Sequence, residues 1–246
     1  MQRKLKPTSI PILDPNDVLT GRAVPRHDLH LHTDFTDGQP TLAEYVDKAI
    51  EIGIEHIGFP EHCNLSTTWL PRFAPAVDTE RRRAAGRVMI HWGVEAKGMD
   101  TRGTLAANPE MIEAAGYVLG AFHSSQTDIK FPNLHRDEAI EMEYSVILGM
   151  LKARACHAIA HPGGLSTKFH GGFDDSLFDQ LAWHASDNGV ALELNPGYGG
   201  DIGEQLATCI KYGTGVVLGS NAHEISDLGR VVRTLEALPA SHRKTE

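Results

Sequence analysis

The segment DLHLHTDFTDG, residues 28–38, is the most informative part of the chain, because it combines an alternating apolar pattern with two closely spaced histidines. Residues two apart on an extended strand project to the same face, so His30 and His32 can reach one metal ion while Leu29 and Leu31 face the opposite side. A single pair of this kind also arises as two ordinary polar residues on a half-buried strand. The interpretation as a metal clamp therefore depends on what the rest of the chain repeats.

The same arrangement returns six more times, because each further apolar run ends in His, Glu or Asn. These runs are residues 57–62, 88–95, 118–123, 158–162, 190–195 and 216–223. Helix-like segments separate them, and the first opens with the capping box of Thr41 and Glu44 and stops at Gly53. Alternating strands and helices are typical of a parallel sheet built from strand-helix units.

The number of strands favours a closed barrel. Strands are predicted near residues 26–32, 56–61, 87–95, 117–123, 157–161, 190–195 and 215–221. Functional residues of barrels gather at the carboxyl ends of the strands, where all the candidate ligands lie. An open doubly wound sheet would also alternate strands and helices, but its ligands come from few strands at one switch point.

We therefore predict an α/β protein with a distorted TIM-like (β/α)7 barrel. A single domain is expected over residues 1–246, with an N-terminal extension over 1–25 and the barrel over 26–240. Later helices are predicted near residues 109–115, 136–153, 174–188, 204–212 and 227–238. Between residues 63 and 86 the prolines predict an irregular loop with a short helix, leaving Trp69 and Phe73 exposed.

The composition narrows the class of partner. The chain has 23 Lys and Arg against 32 Asp and Glu, and this net charge of -9 opposes nucleic-acid binding, whose affinity comes largely from phosphate neutralisation. No apolar stretch approaches the ~20 residues of a membrane span, and the polar start at Met1 lacks the apolar core of a signal peptide. A cytoplasmic protein that acts on a small anionic substrate is the expectation, with no membrane partner.

Four motifs together carry a resemblance to a known family. They are residues 28–33 with Asp37 and Gly38, residues 93–95, residues 161–164, and residues 219–223. In this order they resemble the PHP (polymerase and histidinol phosphatase) family of metal-dependent phosphoesterases, whose fold is a distorted seven-stranded barrel. The resemblance implies hydrolysis of a small-molecule phosphomonoester, such as histidinol phosphate or a nucleotide phosphate, through a metal-bound hydroxide.

The resemblance also implies two or three divalent ions of Zn, Mn or Fe. The implied ligands are His30, His32, Glu95 and Asn221 for the first ion; Glu95, His123 and His161 for the second; and Asp37, His62 and His223 for the third. Glu95, His223 and Asp37 are expected to take part in catalysis. Imidazole and oxygen donors suit these metals, and one carboxylate can span two ions about 3.5–4 Å apart.

One position departs from the family pattern. Where the family usually has Ser-Asp-x-His, this chain has Asn221 between Ser220 and Ala222. An amide oxygen can still bind a metal, but the loss of one negative charge predicts weaker affinity at the first ion. Asn221 therefore favours one alternative, a non-catalytic metal-binding module. The other alternative is a nuclease or cyclic phosphodiesterase, against which the acidic balance argues.

Further residues are expected around the ligands. Asp28 is predicted to orient an imidazole through its free N–H, and Glu61, which precedes His62 where the family commonly has Asp, is expected by analogy to support the ligands without binding metal itself. The predicted substrate contacts are three cations on the loops above the barrel and three other polar residues: Arg102, Lys130 and Lys168, with His170, Glu193 and Asn195.

Overall fold

The structure is a computed structural model that describes residues 5–20, 23–124 and 128–239. Residues 125–127 and 240 of the expected barrel, residues 1–4 and 21–22 of the expected extension, and residues 241–246 of the expected domain lie outside the described residues. No helix in the described ranges is long and apolar enough to cross a membrane.

Seven parallel strands form one sheet in chain order, from β1 to β7. Their bounds are β1 His27–Asp28, β2 His56–Cys63, β3 Met89–Lys97, β4 Val118–Ala121, β5 Ala158–Ile159, β6 Ala191–Leu194 and β7 Val216–Leu218. The sheet closes where Leu29 donates its backbone N–H to Leu218 and where Leu31 forms a parallel bridge with Ala222. The predicted distorted (β/α)7 barrel is confirmed. β1 is shorter than predicted because residues 29–32 run on as this seam.

Helices follow most strands and pack outside the sheet. Their bounds are α1 Pro15–Thr20, α2 Leu42–Ile52, α3 Leu70–Ala84, α4 Pro109–Ala114, α5 Arg136–Ala153, α6 Gly164–His170, α7 Asp175–Asn188, α8 Ile202–Tyr212 and α9 Arg230–Glu236. The capping box at Thr41 and Glu44 is present, and α2 ends at Gly53 in the left-handed region. α8 begins earlier than predicted, because the Asp201 side chain accepts from the N–H groups of Gly203 and Glu204.

The prediction for residues 63–86 is wrong. This segment contains a 15-residue helix, α3, and both Trp69 and Phe73 are buried, at 7% and 0% exposure. Pro71 lies in the first turn, where a missing N–H costs little, so it starts the helix rather than breaking it. Phe73 and Val77, four residues apart, then share one buried face.

The amino-terminal segment packs into the end of the barrel opposite the candidate ligands. Ile10 is buried in the barrel interior, in a cluster that includes Leu119 and Val217. Ser9 donates its N–H to Gly116, just before β4. Leu13 bridges β7 in antiparallel fashion at Val216. Residues 9–13, expected as part of an extension, therefore close the barrel rather than precede it.

Candidate metal centre

The centre is built around one buried carboxylate, Glu95 of β3. Glu95 is 1% exposed and lies in register beside His62 of β2. Its Oε1 atom lies 3.0 Å from His123 Nε2, 3.0 Å from His161 Nε2 and 3.5 Å from His30 Nε2. Its Oε2 atom lies 2.8 Å from His62 Nδ1 and 3.4 Å from His32 Nε2. Five imidazoles from the carboxyl ends of four strands, β1, β2, β4 and β5, thus surround a single carboxylate.

A second cluster lies beside the first and is shared with it through His62. Asp37 Oδ2 is 3.4 Å from both His62 Nε2 and His223 Nε2. Asp37 ends a tight turn after β1, in which a side chain at Gly38 would collide with the His32 carbonyl oxygen. His62 therefore presents one ring nitrogen to each carboxylate. The ligand atoms of His32, Asp37, His62 and His223 all lie within 4.8 Å of one another.

Burial and charge determine the protonation of these groups. Burial would lower the pKa of His30, but the carboxylates of Glu193 and Glu95 outweigh it and raise that pKa to about 10. Burial would also lower the pKa of His62, but the carboxylates of Asp37 and Glu95 outweigh it and raise that pKa to about 10. Burial would raise the pKa of Glu95, but the surrounding imidazoles, His123 and His30 foremost, hold it well below its usual value.

His161 and His223 titrate in the opposite sense. Burial lowers the pKa of each, so both rings stay neutral near pH 7. His223 Nδ1 donates to the Asn221 carbonyl oxygen at 3.0 Å, which leaves Nε2 as the lone-pair nitrogen facing Asp37. A neutral imidazole with a free lone pair is the form that binds a metal.

The residues present fit divalent ions. His30 Nε2 and His32 Nε2 lie 3.0 Å apart, so at most one hydrogen can stand between two nitrogens that both point at Glu95. Within the described residues, the buried Asn221 Oδ1 atom makes no hydrogen bond, and the buried Glu95 carboxylate is surrounded by imidazole nitrogens alone. Buried acceptors without donors are costly unless a cation lies near them. Histidine and carboxylate donors in this number are the ligand set of Zn, Mn or Fe.

Asn221 is held in a way that leaves its oxygen free. Its Nδ2 atom donates to the Tyr198 hydroxyl at 3.1 Å, so Oδ1 is the remaining acceptor. The backbone at Asn221 is left-handed, with φ 48°, and so is that of His161, with φ 61°. Non-glycine residues rarely adopt this conformation, and it concentrates at functional sites.

Glu193 of β6 contacts a ligand rather than the open pocket, contrary to its predicted role as a substrate contact. It is 1% exposed, and its Oε1 accepts from His30 Nδ1 at 2.8 Å. A side chain at Gly219 would occupy the space of this carboxylate, so glycine is required there. Glu193 Oε2, Asn195 Nδ2 and His161 Nδ1 make no hydrogen bond within the described residues and line one small cavity of about 10 Å³. Asn195 faces this cavity and caps Gly197, away from the main pocket.

Of the two expected supporting carboxylates, Asp28 acts differently from prediction. Asp28 accepts from the backbone N–H groups of Ser220 and Gly229, at 2.9 and 2.7 Å, so it fixes the chain around Asn221 rather than orienting an imidazole. Glu61 accepts from the N–H of Thr33 at 3.0 Å, and its Oε2 lies 3.9 Å from His32 Nδ1. It therefore supports the turn after β1 more than its neighbour in sequence.

The centre opens into a pocket of about 790 Å³. Of the predicted cationic contacts, the described pocket wall includes Lys168 but neither Arg102 nor Lys130. Arg102 is 84% exposed and pairs with Asp100 at 2.7 Å. The same Asp100 carboxylate accepts from the backbone N–H of Thr104 and so holds the loop that carries Arg102. Lys130 is exposed beside a short 3-10 turn. His170 ends α6 and donates to the Phe131 carbonyl oxygen at 3.1 Å, which points it away from the pocket.

Lys97, Tyr198 and Arg230 are among the residues of the pocket wall that sequence reasoning missed. Lys97 had a signal, because it follows Glu95 by two residues on one strand and so shares its face. Arg230 begins α9, where no strand alternation applies. A buried residue beneath the site, Glu143, was also missed. It accepts from the N–H groups of Leu165 and Ser166, at 3.3 and 2.8 Å, and so anchors the start of α6.

Comparison with known proteins agrees with this geometry. The profile of the PHP domain matches residues 28–197, which leaves the motif at residues 219–223 beyond the matched region. A "Probable phosphatase" of Acetivibrio thermocellus is 27% identical over 158 residues, which are 61% of this chain. The chain spans 59% of the length of that relative.

Two solved structures share the fold. One is a histidinol phosphate phosphatase from Lactococcus lactis, in complex with zinc, L-histidinol and phosphate, with a TM-score of 0.67, 17% identity, and coverage of 86% of this chain and 94% of that one. The other is a putative histidinol phosphatase from Listeria monocytogenes, with a TM-score of 0.68, 18% identity, and coverage of 85% and 99%. At these identities the likeness concerns the fold alone.

Proposed function

The chain belongs to the PHP domain family, and on that premise we propose that it is a metal-dependent phosphoesterase that hydrolyses a small-molecule phosphomonoester. The observation that carries the proposal is the Glu95 carboxylate, which five imidazoles surround at the carboxyl ends of the strands. Barrels of this kind place their chemistry at that end. Divalent ions there would polarise the phosphoryl group and lower the pKa of a water molecule.

The protein's own groups have distinct tasks in this proposal. Glu95 and the imidazoles around it would hold the ions under the pocket. His223 and Asp37 lie at the pocket wall, 34% and 54% exposed in their side chains, so they can contact both an ion and the substrate. Neutral His223 has no hydrogen on the nitrogen that faces Asp37, and that lone pair can either bind an ion or accept a proton, but not both at once.

Removal of metal tests the proposal directly. Treatment with a chelator should abolish hydrolysis of p-nitrophenyl phosphate, and added Mn or Zn should restore it. Glu95→Gln should lower both the bound metal and the rate, by about 100-fold or more, since it removes the central charge. Glu204→Gln, which changes an exposed carboxylate of α8, is the matched control and should behave as wild type. Activity that is indifferent to chelation would refute the proposal, and faster cleavage of a labelled oligonucleotide would favour a nuclease.

A further inference from the structure

We propose that the natural substrate carries a second anionic group besides the phosphate that is hydrolysed, and that Lys97, Lys168 and Arg230 bind it. This inference rests on the proposed function and specifies its substrate class. The three cations come from separate elements, the end of β3, α6 and the first turn of α9, and all of them line the pocket above the metal centre. Together they form a cationic rim.

The rim has no acidic counterpart in the pocket. The described wall contains only two carboxylates, Glu95 and Asp37, and both belong to the metal centre. In the part of the chain that the structure describes, neither Lys97 nor Lys168 pairs with a carboxylate. Lys97 donates to the Ser124 hydroxyl, and the Lys168 ammonium lies 5.3 Å from the centroid of the Phe169 ring. Two uncompensated lysines face one pocket in a chain whose net charge is -9.

Arg230 differs from the two lysines, because Asp227 three residues earlier pairs with it. This pair fixes the direction of the guanidinium and neutralises part of its charge. Arg230 therefore contributes geometry to the rim, and the two lysines contribute most of its positive charge. A planar guanidinium held in place is suited to a carboxylate or a phosphate.

One phosphoryl group does not account for the whole rim. The ester phosphate would lie over Glu95 and Asp37, where divalent ions held by these residues would neutralise its charge. Lys97, Lys168 and Arg230 therefore add positive charge to a pocket of about 790 Å³ beyond what the ester phosphate requires. A second anionic group of the substrate can bind to this charge. The same charge repels an ammonium group. An aminoalkyl phosphate such as histidinol phosphate therefore fits this pocket poorly, although a fold neighbour was solved with L-histidinol and phosphate.

A matched pair of esters tests the inference. Glycerol 3-phosphate and 3-phosphoglycerate share a three-carbon skeleton and differ in whether the far carbon is a hydroxymethyl or a carboxylate. With the metal-loaded protein, kcat/KM should be roughly tenfold or more higher for 3-phosphoglycerate, and lowest for histidinol phosphate. Equal values for the pair, or a preference for histidinol phosphate, would overturn the inference. Hydrolysis of none of them, nor of p-nitrophenyl phosphate, would instead refute the proposed function.

Variants then assign the preference to the rim. Lys168→Gln and Lys97→Gln should each reduce the ratio of the two kcat/KM values several-fold, and Lys152→Gln, an exposed lysine of α5, should leave it unchanged. Lys168 is exposed, so its variant tests the inference even if the half-buried Lys97 is needed for folding. An equal fall for both esters would mean that the lysines bind only the phosphate that is hydrolysed, which would overturn the inference.

Discussion

Replacement of Glu193 by Gln should weaken metal binding although Glu193 is not itself a ligand. Its Oε1 atom accepts from His30 Nδ1 at 2.8 Å, and His30 Nε2 faces Glu95. Glu193 and His161 line the same small cavity, and the charge of Glu193 opposes the lowering of the His161 pKa by burial. One buried carboxylate therefore acts on two neighbouring imidazoles, whose ring centroids lie 5.7 Å apart.

The size of the effect follows from the charge that is removed. Burial alone would lower the pKa of His30, yet Glu193 and Glu95 together raise it to about 10, so these carboxylates stabilise positive charge on the ring strongly. A metal ion on Nε2 receives the same stabilisation. Gln can still accept from His30, but a neutral acceptor is roughly half as strong as a carboxylate. Loss of such supporting groups typically lowers metal affinity about 10–100-fold, or about 1.4–2.7 kcal/mol.

Competition with a chromophoric chelator would measure this change for Zn and Mn without any assay of activity. The Glu193→Gln protein should release metal at chelator concentrations that wild type resists, while its far-ultraviolet circular dichroism stays unchanged. Glu204→Gln is again the matched control, because it removes an exposed carboxylate of the next helix. An affinity within about twofold of wild type would show that the carboxylate behind His30 has no influence on the metal, and the reasoning would fail.

Three further outcomes are expected. Asn221→Asp should tighten binding of one metal about tenfold in the same competition assay, since the freed amide oxygen becomes charged; no change would mean that residue 221 serves only the backbone. Burial raises the pKa of Glu143 to about 7, above its usual 4.5. The protonated carboxyl therefore stabilises the fold by about 3 kcal/mol below pH 4.5, and this contribution is lost as pH rises through 7. Urea unfolding of Glu143→Gln should therefore depend less on pH than that of wild type, and equal slopes between pH 5 and 8 would contradict this. Phe73→Ala should cost about 3–5 kcal/mol of unfolding free energy because Phe73 is fully buried, whereas Leu65→Ala, at 73% exposure, should change it by less than about 0.5; a small effect at Phe73 would restore the exposed loop that the sequence predicts.

The barrel and the clustering of the candidate ligands were predictable because both depend on local patterns. Strand alternation sends every second side chain to one face, and the apolar runs end where ligands are placed. The two-residue spacing of His30 and His32, and the position of Glu95 at the end of β3, therefore suffice to bring them together. The segment around Phe73 was misjudged because Pro71 reads as a breaker in sequence, although proline in a first turn supports a helix.

Pairings between distant segments left no local signal. The alternation of β6 shows that Glu193 points inward, but not that His30, 163 residues away, occupies the space in front of it. Asp28 likewise has the spacing of a group that orients His30, yet its oxygens face the N–H groups of Ser220 and Gly229. These contacts depend on where each strand ends and turns relative to its neighbours. The spacing of residues along the chain does not encode that.

One pocket contains two regions that attract ions of opposite charge. The floor consists of imidazoles and carboxylates on strand ends, and it attracts cations. The rim consists of Lys97, Lys168 and Arg230, of which two lie on helices that follow the ligand-bearing loops, and it attracts anions. Since α6 and α9 carry rim residues without contributing ligands, a substitution at Lys168 or Arg230 changes the charge of the pocket while Glu95 and its imidazoles keep their places. Substrate preference in this barrel is therefore expected to vary at the rim independently of metal binding, and the two sets of variants, Glu193→Gln and Lys168→Gln, separate these properties by measurement.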